Sequence, residues 1–116
     1  MKGIINLHEF GRRIYQNKNS PHILDEISIE LCSWYAYYSE SLIRLELQEA
    51  KFWQENKHLE SEKPTSDAMI RKLWILTEEG SEHLRTEMIV KTIEKLLSTL
   101  KTSVYRSNVE YRNSNL

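Results

Sequence analysis

The chain has few of the residues that interrupt regular structure. It contains three glycines and two prolines in 116 residues, and none of the glycines belongs to a glycine-rich loop. Sandwiches and barrels of β-strands need frequent turn residues, so this composition favours long helices. No apolar run reaches the length that crosses a membrane. We therefore expect a single helical domain over residues 1–116 and no membrane partner.

Cysteine is almost missing. With Cys32 as the sole cysteine, the chain cannot form an internal disulfide and has no Cys-x-x-Cys metal or redox motif. We predict that Cys32 is a small buried apolar residue. The first residues also lack the apolar core and small-residue cleavage site of a signal peptide. These features predict a protein of the reducing cytoplasm.

The motifs of common enzymes are missing as well. The sequence has no Gly-x-Ser-x-Gly motif, no phosphate-binding glycine loop and no Glu-x-x-His motif of the kind that di-iron bundles use. Glu79 and His83 are four residues apart and can face each other on a helix. We interpret them as a solvated pair. The sequence thus predicts no enzyme, no metal site, no cofactor and no small-molecule substrate.

Residues 21–57 carry apolar side chains on two sides of one helix. At about 100° per residue, a broad main stripe contains Leu24, Ile27, Leu31, Trp34, Tyr35, Tyr38, Leu42, Leu45, Phe52 and Trp53. A narrower second stripe, roughly opposite, contains Ile29, Ala36, Ile43, Leu47 and Ala50. A helix with two apolar stripes needs packing partners on both sides. The second stripe would be covered by a short N-terminal helix, by a second copy of the chain, or by both.

Capping patterns place the other elements. A short amphipathic helix is predicted over residues 4–17, followed by a break over residues 17–19. Ser20 can cap the long helix and Pro21 suits its first position. After a polar loop over residues 58–65, Ser66 can cap a further helix.

An apolar face that includes Trp74, Leu84 and Met88 keeps its phase across Gly80, so we predict a continuous or kinked helix through the glycine. The alternative is a break at Gly80, with Ser81 capping a new helix. The predicted fold is all-α: a long antiparallel helical hairpin with a short N-terminal helix, completed as a helical bundle by dimerisation.

The aromatic cluster of residues 34–38 favours packing over base stacking. Trp34, Tyr35 and Tyr38 lie on the main stripe, whereas Tyr37 lies on the polar side. Aromatic residues are enriched at protein interfaces, so we predict that the three stripe residues belong to the core or to a dimer interface. The expected interface residues are Trp34, Tyr35, Tyr38, Ile29, Ile43 and Leu47.

Charge is segregated along a chain whose net charge is −1. Residues 1–21 and 91–116 each carry +3, residues 22–62 carry −6 and residues 63–90 carry −1. The acidic middle and basic ends can pair within a bundle or across a dimer. They can also leave basic surface free for a polyanion.

The C-terminal helix carries the strongest candidate for a binding surface. Lys91, Lys95, Thr102 and Arg106 fall within about 60° of one another on a helical wheel, opposite the apolar residues. Basic residues and hydroxyls in such a row are what contact with a phosphate backbone uses, although many solvated helix faces are also rich in lysine. The candidate nucleic-acid contacts are Lys91, Lys95, Lys101, Arg106 and Arg112, with Arg12 and Arg13 in support if the N-terminal helix packs nearby.

Four segments resemble a known class of proteins. They are Pro64-Thr65-Ser66-Asp67, Leu73-Trp74 with Thr77-Glu78-Glu79-Gly80, the run from Lys91 to Lys101, and Asn108-Val109-Glu110-Tyr111-Arg112-Asn113. Over residues 27–113 the chain is similar to small helical accessory proteins of bacteriophage replication and recombination modules. The resemblance implies a cytoplasmic, phage-derived protein of DNA metabolism. It assigns no functional residue.

Two hypotheses follow from the sequence. The first is a non-enzymatic homodimer that binds DNA or a protein of DNA replication or recombination. The alternative is a phage-encoded inhibitor that binds a host protein through its acidic middle segment or through exposed aromatics such as Tyr37, with acidic mimicry of DNA as one route. A small helical hydrolase would need a metal or a polar pocket, neither of which the sequence indicates.

Overall fold

The computed structural model describes the backbone of residues 3–57 and 65–114, and side chains up to residue 102. The described residues form four helices and no strand: α1 (Leu7–Gln16), α2 (Pro21–Asn56), α3 (Asp67–Leu76) and α4 (Glu78–Ser114). The predicted all-α fold class is therefore confirmed. Most of the predicted 58–65 loop lies outside the described residues. At its end, the Thr65 N–H donates to the Lys57 carbonyl at 2.9 Å.

Helix starts follow the capping residues. The Asn6 side chain accepts a hydrogen bond from the Glu9 N–H, so α1 begins at Leu7 and not at residue 4. The long helix begins at Pro21 as predicted, and the Ser20 carbonyl accepts from the Leu24 N–H. The Ser66 hydroxyl accepts from the Met69 N–H, which confirms the predicted cap of α3.

The predicted uninterrupted helix after Ser66 is wrong, because it breaks at Thr77. Thr77 is extended, with φ −75° and ψ 158°, and its hydroxyl accepts from the Gly80 N–H at 2.9 Å while donating to the Trp74 carbonyl at 2.6 Å. Thr77 thus ends α3 and caps α4. Gly80 itself lies inside α4, so the helix does run through the glycine.

The described chain divides into two compact units. The first comprises residues up to Tyr37 together with those from Ile89 onward. Its buried apolar residues are Ile5, Phe10, Ile14, Leu24, Ile27, Leu31, Val90, Ile93 and Leu100. Arg13 of α1 pairs with Glu30 of α2 at 2.9 Å, and the Tyr35 hydroxyl donates to Glu94 of α4 at 3.1 Å. The main stripe of α2 therefore forms core, as predicted.

The second unit is Tyr38–Met88. Its buried residues include Tyr38, Leu45, Ile70, Trp74, His83 and Thr86. Within this unit α2 runs antiparallel to the following helices. Arg44 pairs with Glu82 at 3.1 Å, and the Phe52 ring, two turns further along α2, packs 5.4 Å from the earlier Trp74 ring.

The second stripe of α2 is exposed. Ile29, Ile43 and Leu47 keep 72%, 59% and 68% of their surface accessible, so α1 does not cover them. The prediction that Cys32 is buried is wrong, since it lies exposed beside Ser33 on the polar side of α2. Within the described ranges, no helix is both long and apolar enough to cross a membrane.

Candidate functional site

A buried histidine stands at the centre of the second unit. His83 of α4 is 6% exposed. Its Nδ1 atom lies 3.1 Å from Oε2 of Glu49 on α2, and its Nε2 atom lies 3.2 Å from Oε1 of Glu87 one turn along α4. The predicted solvated pair of Glu79 and His83 is therefore wrong, because His83 faces the core and its carboxylate neighbours are two other residues.

Two groups compete for Nδ1 of His83. The Trp74 indole N–H donates to it at 3.2 Å, and an indole nitrogen can only donate. In this hydrogen bond Nδ1 is therefore the acceptor, so it cannot at the same time donate to the Glu49 oxygen 3.1 Å away. On the other side of the ring, Nε2 has no hydrogen-bond partner although a Glu87 oxygen lies 3.2 Å from it.

A cavity of about 190 Å³ opens beside this histidine. Glu49 from α2, Arg71 and Trp74 from α3, and His83 and Glu87 from α4 contribute to its wall. The two carboxylates approach opposite nitrogens of the ring, so they do not converge on one point. Accordingly, no cluster of three metal-ligating side chains is found among the described residues.

The burial of His83 was not predicted, because the apolar face of α3 was assumed to continue with the same helical phase into α4. The break at Thr77 resets that phase, which leaves Leu84 and Met88 exposed at 44% and 68%. Counted backward from Ile93 in steps of three and four, the buried face of α4 passes through Val90, Thr86 and His83. The spacing within α4 alone would therefore have found the histidine.

The three lysines among the predicted nucleic-acid contacts are exposed on α4, and we call them the lysine row of α4. Lys91, Lys95 and Lys101 are all accessible, and none forms an ion pair with a described carboxylate. The neighbouring hydroxyls are also exposed: Thr99 donates to the Lys95 carbonyl, and Thr102 to the Ser98 carbonyl. Arg106 and Arg112 fall within α4, but their side chains lie outside the described part of the chain.

The two supporting arginines are already engaged by carboxylates. Arg12 binds Glu9 at 2.6 Å through its guanidinium, and this hydrogen bond lowers the pKa of the Glu9 carboxyl. Arg13 pairs with Glu30 and lies 5.0 Å from the centre of the Phe10 ring. Their positive charge is therefore largely offset within the first unit.

The aromatic cluster packs within the chain. Tyr38 is 8% exposed and belongs to the core, while Trp34 and Tyr35 are half-buried. Tyr37, expected on the polar side, is half-buried too and meets Trp34 edge to face at 6.2 Å. Of the predicted interface residues, the most accessible are those of the second stripe.

Ile43 and Leu47 form an apolar patch on α2 within the second unit. They lie one turn apart and are flanked by the charged side chains of Glu40, Arg44 and Lys51. Exposed aliphatic residues with a charged rim are typical of surfaces that bind another protein. We call Ile43, Leu47 and these three neighbours the α2 patch.

Comparisons with protein-family models, curated proteins and solved structures find no match to this chain.

Proposed function

We propose that this chain is a non-enzymatic, phage-type accessory protein that dimerises through the α2 patch and binds the phosphate backbone of DNA through α4. The DNA-binding part of this proposal rests on the exposure and the ion pairing of Lys91, Lys95 and Lys101. They are exposed on one helix and have no described carboxylate as ion-pair partner. Unpaired lysines can release counterions from DNA when they meet its phosphates.

The contrast with other basic residues supports this assignment. Arg12, Arg13 and Arg44 are each held by a carboxylate, so they have less charge to offer a polyanion. The lysines of α4 also stand beside exposed Ser98 and Thr102, and such hydroxyls commonly bind phosphate oxygens.

Dimerisation is supported by the exposure of Ile43 and Leu47 and by the positions of the charged residues that flank them along α2. If two copies of α2 pack antiparallel so that Ile43 of one meets Leu47 of the other, Glu40 of each copy comes level, within one residue, with Lys51 of the other. The same register therefore buries the aliphatic side chains and forms two opposite-charge pairs. A second copy of the chain satisfies both the apolar centre and the charged rim of the patch.

A second candidate function is binding and inhibition of a host protein. It is favoured by aliphatic side chains exposed just before the break between α3 and α4, where Leu76 is 82% and Ile75 39% exposed. This surface differs from the lysine row, so the two functions can be separated by mutation.

The test is a titration of labelled single- and double-stranded DNA with the purified chain at two salt concentrations. We expect affinity to fall steeply with salt, with a slope of about −0.9 per phosphate contacted on double-stranded DNA. The triple variant Lys91→Glu/Lys95→Glu/Lys101→Glu should lose binding while its helical circular dichroism is unchanged.

A matched variant controls for net charge. Lys57→Glu/Lys72→Glu/Arg85→Glu reverses three other exposed basic residues and should keep most of the affinity. Equal loss in both variants would mean that overall charge, and not the α4 row, governs binding. No binding by the unmodified chain at low salt would reject the DNA proposal and leave a host protein as the candidate partner.

A further inference from the structure

We propose that His83 is a pH-dependent switch between two helices of the second unit. While the imidazole is neutral, its Nδ1 atom accepts a hydrogen bond from Trp74 of α3. When the ring gains a proton, Nδ1 donates instead to Glu49 of α2. All three residues lie within the second unit. The switch uses neither the lysine row of α4 nor the α2 patch, so it does not depend on DNA binding or dimerisation.

The two contacts of Nδ1 exclude each other. The Trp74 indole nitrogen lies 3.2 Å from this atom, and the Oε2 atom of Glu49 lies 3.1 Å from it. An indole nitrogen only donates and an ionised carboxylate only accepts, whereas Nδ1 accepts through a lone pair and donates when it carries a proton. Because both partners are already within hydrogen-bond distance, the gain of one proton exchanges them without a movement of the helices.

The charged groups around the imidazole compensate the charge that a proton adds. Among the described residues of the cavity wall, these groups are Glu49 of α2, Arg71 of α3 and Glu87 of α4. A carboxylate oxygen lies within 3.2 Å of each ring nitrogen, which pairs the imidazolium on both sides, while the guanidinium opposes it. Glu82, the preceding residue of α4, is already paired with Arg44 at 3.1 Å.

The cavity provides a new partner for the indole N–H that the exchange releases. Trp74 lines this cavity of about 190 Å³, which exceeds the roughly 30 Å³ that one water occupies in the liquid. Water in the cavity can therefore accept from Trp74 once Nδ1 is protonated. The Glu49 and Glu87 side chains are 27% and 40% exposed, so a proton can reach the ring from solvent. Protonation thus replaces a contact between α4 and α3 by one between α4 and α2.

The test is NMR of the isotope-labelled full chain between about pH 8 and about pH 5, the range in which histidines usually change charge. The indole N–H of Trp74 and the two ring nitrogens of His83 are followed in the same samples. We expect Nδ1 to be unprotonated at the upper end of this range and protonated at the lower end. The Trp74 proton signal should move upfield with the same midpoint, because its hydrogen bond to Nδ1 is lost.

Two substitutions should move this midpoint in opposite directions. Glu49→Gln removes the charged acceptor of the protonated ring and should lower the midpoint by about one pH unit. Trp74→Phe removes the donor to the neutral ring and should raise it by roughly half a unit. Glu55→Gln removes an exposed carboxylate further along α2 and controls for the change in net charge, so it should leave the midpoint in place.

Three results would overturn the proposal. They are a Trp74 signal that does not change when His83 is protonated, a His83 ring that stays neutral until the chain unfolds, and equal shifts of the midpoint in Glu49→Gln and Glu55→Gln. If Trp74→Phe does not fold, the Trp74 signal of the unmodified chain and the effect of Glu49→Gln still decide the question.

Discussion

His83 is fixed by neighbours from two other helices as well as its own. Trp74 of α3 donates to Nδ1, Glu49 of α2 stands beside the same atom, and Glu87 of α4 stands beside Nε2. A buried polar group without a partner is costly, so the bond from Trp74 stabilises both side chains. The ring contact between Trp74 and His83, with centres 6.0 Å apart, adds to the packing.

Replacing this histidine should therefore lower stability. In His83→Phe the aromatic volume is retained, but the Trp74 indole N–H loses its acceptor, at an expected cost of about 1–3 kcal/mol in the free energy of unfolding. Urea denaturation measures the difference.

His22→Phe is the matched control, because the His22 side chain is 88% exposed and pairs only at the surface with Glu26. Its expected effect is within about 0.5 kcal/mol. Similar losses in the two variants would contradict the structural role assigned to the Trp74–His83 bond.

Among the elements, the junction of α3 and α4 depends on a close backbone approach. A Cβ atom built on Gly80 would lie 1.7 Å from the Trp74 carbonyl oxygen, so no side chain fits there. Thr77 closes the junction by capping α4 while binding that same carbonyl. Trp74, which contacts His83, thus also supplies the carbonyl that accepts the hydrogen bond of this turn.

Two alanine substitutions should separate the close approach of the backbone at Gly80 from the general effect of glycine on helix propensity. Gly80→Ala forces the backbone apart and should cost about 2 kcal/mol or more. Gly11→Ala lies in α1, where the new Cβ meets nothing within 4 Å beyond its chain neighbours and the backbone of its own helix, and it should stabilise the chain by up to about 1 kcal/mol. Thermal unfolding followed by circular dichroism distinguishes them, and a gain in stability from Gly80→Ala would refute the close approach.

The same junction marks the limit of sequence-based prediction for this chain. The start of α2 at Pro21, the Ser66 cap of α3 and the main stripe of α2 were predictable, because local chemistry and a single helical period determine them. The break at Thr77 was missed although Thr77 followed by Glu78 and Glu79 is a helix-start pattern, because the apolar face that keeps its phase across Gly80 outweighed it. Once that break was missed, the helical phase of α4 was misplaced and His83 was assigned to solvent.

For the whole molecule, the central question is what covers the second stripe of α2. Ile29, Ile43 and Leu47 are exposed although they are aliphatic, and removing their surface from water favours association. The order of Glu40, Ile43, Leu47 and Lys51 suits an antiparallel second copy. Packing within the chain accounts for one side of α2, and we propose that dimerisation accounts for the other.

Sedimentation equilibrium over a range of protein concentrations tests this claim most directly. We expect a mass of twice the 13.8 kDa of one chain, which should fall to that of one chain in Ile43→Asp/Leu47→Asp. Leu76→Asp places a charge on an exposed residue outside the α2 patch and should remain dimeric. A single-chain mass at every concentration, or a dimer that persists in the Ile43→Asp/Leu47→Asp variant, would contradict the account.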